Sequence, residues 1–375
     1  MRIGIILPNL LSWGPQRLII DQIRYWPRDG DSFVVISLNR NADEDILREL
    51  KELGANVITH SYQGTNFSPR EILKLRRTLR ELDLDILHTH LHIANVPARL
   101  ASIGLGYKVM TTYHNTDFGQ TIESRWPNAM RFLSEFISAR LKNDAFVAVS
   151  KTVLNAYRRI CNRLTRVIYN GIDTDYYKRI KDGAQGIKRF EALEGRKTII
   201  TVGRLHEQKD PEMAIRTAAE LKRRHFPFML IIIGEGPLYP KLQRMVQEFG
   251  LGENVMFLGN QAREDVAKWY VRADLLLLTS LMEGFAIVAA DALFMGTPIV
   301  CTDLAVLREV VGDDCGVFVG SRAPEIWADA IMDCLTDDEH KKAVRTLGPD
   351  RVCKFFSTTK NVEALAEFYD ACQLQ

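Results

Sequence analysis

The chain has 375 residues, 46% apolar and 26% charged, with a formal net charge of +2. That length allows two domains with full cores, and the near balance of charge excludes a bulk electrostatic attraction to nucleic acid. Residues 1–175 carry 23 Lys and Arg against 18 Asp and Glu, and the remainder 26 against 29, so a basic first half and an acidic second half point to two domains with different partners.

Taken in chain order, short apolar runs alternate with amphipathic stretches. "RIGIIL" (2–7), "FVVISL" (33–38), "NVITH" (56–60), "DILHTH" (85–90), "KVMTTYH" (108–114) and "AFVAVS" (145–150) read as strands. "LIIDQIRYW" (18–26), "DILRELKEL" (45–53), "PREILKLRRTLREL" (69–82) and "AMRFLSEFISARL" (129–141) read as intervening helices, with apolar residues three and four apart. The rhythm resumes with strands at "KTIITVG" (197–203), "FMLIIIG" (228–234), "NVMFLG" (254–259), "ADLLLLTS" (273–280), "TPIVCT" (297–302) and "CGVFV" (315–319). Helices are expected at 211–224, 239–250 and 263–273, in the stretch following Gly284, and at the end of the chain in "TTKNVEALAEFYDACQ" (358–373). Near-continuous apolar strands alternating with helices imply α/β domains whose parallel sheets are covered on both faces. The expected division is 1–175, 176–355 and a C-terminal helical segment 356–375 that packs back on the first domain, with a polar linker near 169–197.

The six cysteines stand at 161, 301, 315, 334, 353 and 372, none in a Cys-x-x-Cys pair. They read as reduced thiols of a cytoplasmic protein, not as a disulfide framework or a zinc site. "MRIGIILPNLL" is broken too early, by Pro8 and Asn9, to be a signal peptide. No run of about 18 apolar residues is available to span a membrane.

In open parallel sheets, ligands bind beyond the C-terminal strand ends. Arg204 and Lys209 in "VGRLHEQKDPE" offer a fork of donors and a point charge for a diphosphate, although two solvated loop cations are the blander reading. "IIIGEGPL" lacks the third glycine of a dinucleotide fingerprint and reads first as a tight strand-to-helix turn; close approach to a ligand is the alternative. In "SLMEGFAIVAADALFMG", Gly284 and Phe285 supply backbone N–H groups where a helix begins, a ready anion site. Gly296 suits the end of that helix. Glu283 and Asp291 bracket its start, roughly 12 Å apart if helical rise applies throughout. That separation fits two grips on one donor, one acid on the sugar and the other on the ribose.

Together these loops resemble the retaining glycosyltransferases of family 4. The matching pieces are "VGRLHEQKDPE", "IIIGEGPL", "NVMFLGNQARED", "EGFAIVAADAL" and "GTPIVCTD", preceded in order by "ILHTHLHIANVPARL", "VMTTYHNTD", "FVAVSKTV" and "VIYNGIDTDYY". The resemblance covers nearly the whole chain. It implies the GT-B fold, two Rossmann-like doubly wound domains facing a central cleft, the first binding an acceptor and the second a nucleotide diphosphate sugar. By resemblance, Arg204 and Lys209 are diphosphate ligands, and Glu283 contacts sugar hydroxyls. Gly284, Phe285 and Ala286 offer backbone donors, the loop of Gly259 and Asn260 lies near the base, and His114 is the active-site histidine. The implied reaction moves a sugar, from UDP in preference to GDP, to a hydroxyl of a glycan, glycolipid or similar acceptor, with no metal or cofactor. His114 would position the sugar and the attacking hydroxyl.

Two departures stand out. The second acid of the motif is Asp291 instead of Glu, shortening its reach by one methylene. The usual N-terminal Gly-Gly loop is "LPNLLSWGPQRLI", in which only Gly14 remains and Trp13 and Pro15 add bulk. Two alternatives stay open: a hydrolysing sugar-nucleotide epimerase on the same fold, in which Glu283 and His114 could also serve, and, given these departures, a non-catalytic sugar-nucleotide-binding protein.

His88, His90 and His92 would share one face if the strand at 85–90 persisted, a weak metal reading set against packing and pocket lining. "PREILKLRRTLREL" and "KTVLNAYRRICNRLTR" (151–166) read as basic helices. Alone each is a solvated face; with the basic balance of the first half they permit contact with anionic lipid at the inner face of a membrane.

Overall fold

The structure, a computed structural model, describes residues 1–11, 14–61, 68–116, 125–161, 164–183 and 195–374. Two compact units emerge, residues 1–171 with 358–375, and residues 172–357.

The first unit holds a seven-stranded parallel sheet: β1 (Arg2–Leu7), β2 (Ser32–Ser37), β3 (Asn56–Thr59), β4 (Ile86–His90), β5 (Lys108–Tyr113), β6 (Ala145–Ala148) and β7 (Leu164–Val167). Its order is β3-β2-β1-β4-β5-β6-β7. The second holds six parallel strands: β8 (Lys197–Val202), β9 (Phe228–Ile233), β10 (Val255–Gly259), β11 (Leu275–Leu278), β12 (Ile299–Thr302) and β13 (Gly316–Val319), in the order β10-β9-β8-β11-β12-β13. In both sheets the order reverses beside the first strand, between β1 and β4 and between β8 and β11. Connections leave toward opposite faces there, and a crevice opens above the strand ends.

Composition explains the central strands. Every residue of β4 and β9 is buried, and β9 reads "FMLIII", as expected of a strand covered on both faces. The edge strand β7 is "LTRV" with Arg166 exposed; among the described residues it pairs with β6 alone. Such a short, half-polar edge has little periodic signal, and the basic helix expected over 151–166 does not run through it. In the structure that helix spans only Lys151–Tyr157, its first turn capped by Ser150 Oγ accepting from Val153 N, and the chain turns at 158–160 before β7. The strand carrying His88 and His90 also ends at His90. Leu91 has φ +69°, and His92 opens the helix His92–Ser102, so the three histidines do not share a strand face.

Helix Thr358–Gln373 belongs to the first unit, although residues 172–357 intervene. It buries Leu365, Phe368 and Tyr369 in the core cluster that includes Ile3, Ile5 and Ile20. Asn361 accepts from Gln22 Nε2 at 2.9 Å and donates to the Tyr169 carbonyl at 2.5 Å.

Candidate functional site

In the second unit, the loops after β8 and β11 meet above the point where the strand order reverses. The β8 loop ends in a 3-10 turn, Glu207–Lys209, and Asp210 then caps helix Pro211–Arg223. The β11 loop lies against it: Leu281 N donates to the Gln208 carbonyl at 2.9 Å, and Thr279 Oγ1 to the carbonyls of Lys209 and Asp210. This docking joins Lys209 Nζ to Glu283 Oε1 at 2.6 Å. The same oxygen accepts from Ser280 Oγ at 2.7 Å. Glu283 is 6% exposed, so its charge is balanced by a lysine supplied from another strand's loop. Lys209 retains two further N–H donors, and Arg204 and Lys209 line one recess with Gly203, Thr279 and Ser280.

The glycines of "GEG" are demanded by the backbone. Gly234 has φ +129°, and a Cβ there would stand 2.1 Å from the Gly203 carbonyl oxygen; one on Gly236 would stand 2.4 Å from that of Leu205. The turn reading of this motif therefore holds: its glycines let the β9 loop press on the β8 loop. Gly203 N donates to the Ile233 carbonyl at 3.0 Å and Gly234 N to that of Gly259 at 2.8 Å, tying three strand ends in a row. Gly259 and Asn260 lie on the far side of that row, where Asn260 Nδ2 donates to Glu235 Oε2 at 3.2 Å.

Gly284, Phe285 and Ala286 lead into helix Ile287–Met295. The Phe285 ring is buried, edge-on to Phe356 at 5.3 Å. Ala286 sits at φ +58°, ψ +64°, a left-handed conformation that costs a residue with a Cβ about 1–3 kcal/mol and that clusters at functional sites. The first amides of any helix lack intrahelical acceptors, and here they follow directly on this strained residue. Gly296, at φ +82°, ends the helix.

The two acids of this stretch have different surroundings. Glu283 is in the group with Lys209 and Ser280. Asp291 lies within the helix, 8% exposed, hydrogen-bonded with the hydroxyl of Tyr177 from helix Thr174–Gly183. Burial, with the Asp291 charge beside it, pushes the Tyr177 hydroxyl well above its usual pKa, so it stays protonated and donates. A shorter acid here is thus met by a tyrosine. Tyr177 went unread in the sequence because it falls in a stretch that looks like linker.

In the first unit, His114 follows β5 and lines a cavity of about 60 Å³ with His92, Asn95, Thr112, Asn115 and Arg131 among its neighbours. Beneath it lies a buried polar network. Arg99 and Glu135, both 0% exposed, form an ion pair. Arg99 also donates to Thr111 Oγ1, Asn143 Oδ1 and the Tyr113 hydroxyl, and Glu135 pairs at 2.8 Å with His92 Nδ1. Burial alone would raise the Glu135 pKa, but the Arg99 charge and the His92 bond hold it below the usual carboxylate value. Gly14 begins helix Gly14–Arg24, while Trp13, whose bulk was noted in the sequence, lies outside the described residues. Among the described residues no group of three or more His, Cys, Asp or Glu is placed to hold a metal ion.

Comparisons with known proteins agree on both halves. Residues 14–176 match the family described as Glycosyltransferase Family 4, and residues 185–351 that described as Glycosyl transferases group 1. The chain is 27% identical over 336 residues to the N-acetyl-alpha-D-glucosaminyl L-malate synthase of Bacillus anthracis, covering 84% of this chain and 82% of that one. It is 32% identical over 215 residues to the D-inositol 3-phosphate glycosyltransferase of Corynebacterium jeikeium, 55% of this chain and 51% of that one. Among solved structures it is similar to Anabaena HepE in complex with UDP and glucose, with a TM-score of 0.80 at 20% identity over 99% of this chain and 100% of that one.

Proposed function

Because the chain belongs to the group 1 and family 4 glycosyltransferases and has their two-domain GT-B fold, we propose that it transfers a sugar from a nucleotide diphosphate sugar, UDP favoured over GDP, to an acceptor hydroxyl with retention of configuration and without a metal or cofactor. The observation that carries this reading is the Lys209–Glu283 pair at the crevice of the second sheet, beside Arg204 and a helix start. Glu283 Oε1 is taken by Lys209 and Ser280, which leaves Oε2 for a sugar hydroxyl. Lys209, Arg204 and the amides leading into helix Ile287–Met295 face the diphosphate. Asp291, presented with Tyr177, takes the ribose, and the strand end at Gly259 and Asn260 lies nearest the base. In the first unit, His114 takes the attacking hydroxyl of the acceptor.

In this mechanism the bond from the anomeric carbon to the diphosphate oxygen breaks as the acceptor oxygen attacks from the same face. Charge builds on the leaving diphosphate, where preorganised cations and amides are most effective. The acceptor proton passes to a diphosphate oxygen. Incubation with UDP- and GDP-sugars, and an acceptor set of glycans, lipid-linked sugars, L-malate and inositol 3-phosphate (the last two drawn from the relatives' names), is expected to give a product whose anomeric coupling in proton NMR matches the donor. An inverted product would overturn the retaining reading, and an epimerised free sugar released with the nucleoside diphosphate would favour the hydrolysing epimerase.

One surface supports peripheral attachment to an anionic membrane. Helix Arg125–Leu141 turns Glu135, Ser138 and Ala139 inward and leaves Met130, Leu133, Ile137 and Leu141 exposed, three and four residues apart. Arg131 and Arg140 are exposed on the same helix. Helix His92–Ser102 packs between it and helix Pro69–Glu81, which carries five basic residues. An apolar stripe bordered by arginines suits a lipid interface. No helix among the described residues is long and apolar enough to cross a membrane. In flotation with vesicles containing anionic lipid, the protein is expected to rise with the vesicles, and Leu133→Asp/Ile137→Asp to stay behind. Equal recovery of both proteins would refute the attachment.

A further inference from the structure

β4 and β5 run parallel with His88 opposite Met110 and His90 opposite Thr112. Residues two apart on a strand share a face, so His88, His90, Thr112 and His114 all project to one side. The contacts repeat diagonally: His88 Nε2 meets Thr112 Oγ1 at 2.6 Å, and one step on His90 Nδ1 meets His114 Nε2 at 2.9 Å. The His88 and His90 rings lie 4.2 Å apart between centroids, tilted by 38°. His88 is satisfied at both nitrogens, its Nδ1 lying 2.7 Å from the Tyr369 hydroxyl. His90 is 1% exposed, and its Nε2 is buried with no hydrogen-bond partner among the described residues.

That orphan atom decides where the protons lie. A neutral imidazole carries one N–H donor and one acceptor. If His114 donated from Nε2, His90 would have to accept at Nδ1 and carry its proton on Nε2, a buried N–H with nothing to meet. If His90 donates from Nδ1, its Nε2 is a bare lone pair, and buried N–H groups without acceptors are the rarer defect. A cationic ring does not escape the choice, because burial lowers all three pKa values, to about 3 for His88, to about 4 for His114 and well below the usual value for His90. We infer that His90 is a positioning residue that donates to His114 Nε2 and so fixes His114 as the Nδ1–H tautomer, a hydrogen-bond donor to the ligand and not a base. Among the described residues no other hydrogen bond engages His114, so Nδ1–H is the polar group this ring brings to the cavity it lines.

This rests on the proposed contact of His114 with substrate, and the two are tested apart. Nitrogen-15 NMR of histidine-labelled protein, with His114→Asn assigning the signal, reads the tautomer without any substrate. The ring of His114 is expected to carry its proton on Nδ1 at neutral pH and to lose that single form in His90→Leu. A proton on Nε2 in the unaltered protein overturns the inference. In turnover, His90→Leu is expected to lower kcat about tenfold with little change in KM for the donor. His90→Asn, whose amide can reproduce the Nδ1–H bond, recovers most of it. His114→Asn, with an amide nitrogen near the Nδ1 position, is expected to outperform His114→Gln, whose amide nitrogen falls nearer Nε2. Full turnover in His114→Leu would remove the functional role of His114 while leaving the tautomer result as measured.

Discussion

Replacing Lys209 with alanine is expected to lower kcat/KM for the nucleotide sugar about a hundred- to a thousandfold, equivalent to roughly 3–4 kcal/mol. Two losses combine. In the proposed reaction the leaving diphosphate loses a cation, and Glu283, with its side chain 5% exposed, is left as a buried carboxylate that keeps the Ser280 hydroxyl as a partner. Removing one partner of a buried pair costs more than the pair itself contributes. Glu283→Gln separates the two, since it relieves the stranded charge but also removes the sugar contact. The double variant Lys209→Ala/Glu283→Gln should therefore be less impaired than the sum of the single effects. Steady-state kinetics over the four proteins measures the coupling. Simple additivity would show that the pair does not act as a unit, and unchanged kinetics in Lys209→Ala would move the diphosphate elsewhere.

The largest stability effect is expected at Arg99. Arg99→Met strands Glu135 at 0% exposure and leaves Asn143 and Tyr113 short of a donor, at a cost of about 3–5 kcal/mol. For a unit of this size the thermal midpoint should fall by about 10 °C. Arg99→Met/Glu135→Leu removes both charges and should recover a large part of the loss; failure to recover would assign the effect to the shape of the arginine. The pH dependence has a definite sign. Arg99 and His92 hold the folded Glu135 below its ordinary value of 4.5, so the stabilisation is present above that pH and is lost as pH falls through the folded pKa. In Arg99→Met burial acts unopposed by that charge, and acid destabilisation should begin at a higher pH. Thermal melts of both proteins between pH 3 and 7 give the comparison.

The fold class was legible because most strands are unbroken apolar runs and most helices carry strong three- and four-residue spacing. β9 and helix Pro211–Arg223 declare themselves in their residues alone. β7 did not, because a four-residue edge strand with an exposed arginine is locally indistinguishable from the basic helix before it. The loops worth reading also followed from the parallel strands, since only one end of such a sheet faces the crevice. What the sequence could not supply was pairing at a distance. Lys209 and Glu283 are 74 residues apart, Arg99 and Glu135 36, and His88 and Tyr369 281. No local pattern joins them; each pair exists because the sheet order brings its elements together. Asp291 shows the same limit. Its missing methylene was visible in the sequence, but its partner, Tyr177, was not.

The chain leaves the first unit after Gly171 and returns at Thr358, and the two crossings run side by side. Ile172 bridges Ser357, and a Cβ on Gly171 would stand 2.7 Å from the Thr358 Cα. The second unit is thus one uninterrupted stretch, while the first is assembled from two. During synthesis, residues 172–357 can collapse as soon as they emerge. The earlier-made sheet must wait for helix Thr358–Gln373, with its Tyr369 bond to His88 and its Asn361 bonds to Gln22 and Tyr169, before its core closes. The part translated first is therefore the part completed last. Trimming residues after 357 should disable the N-terminal unit and spare the one next to the cut.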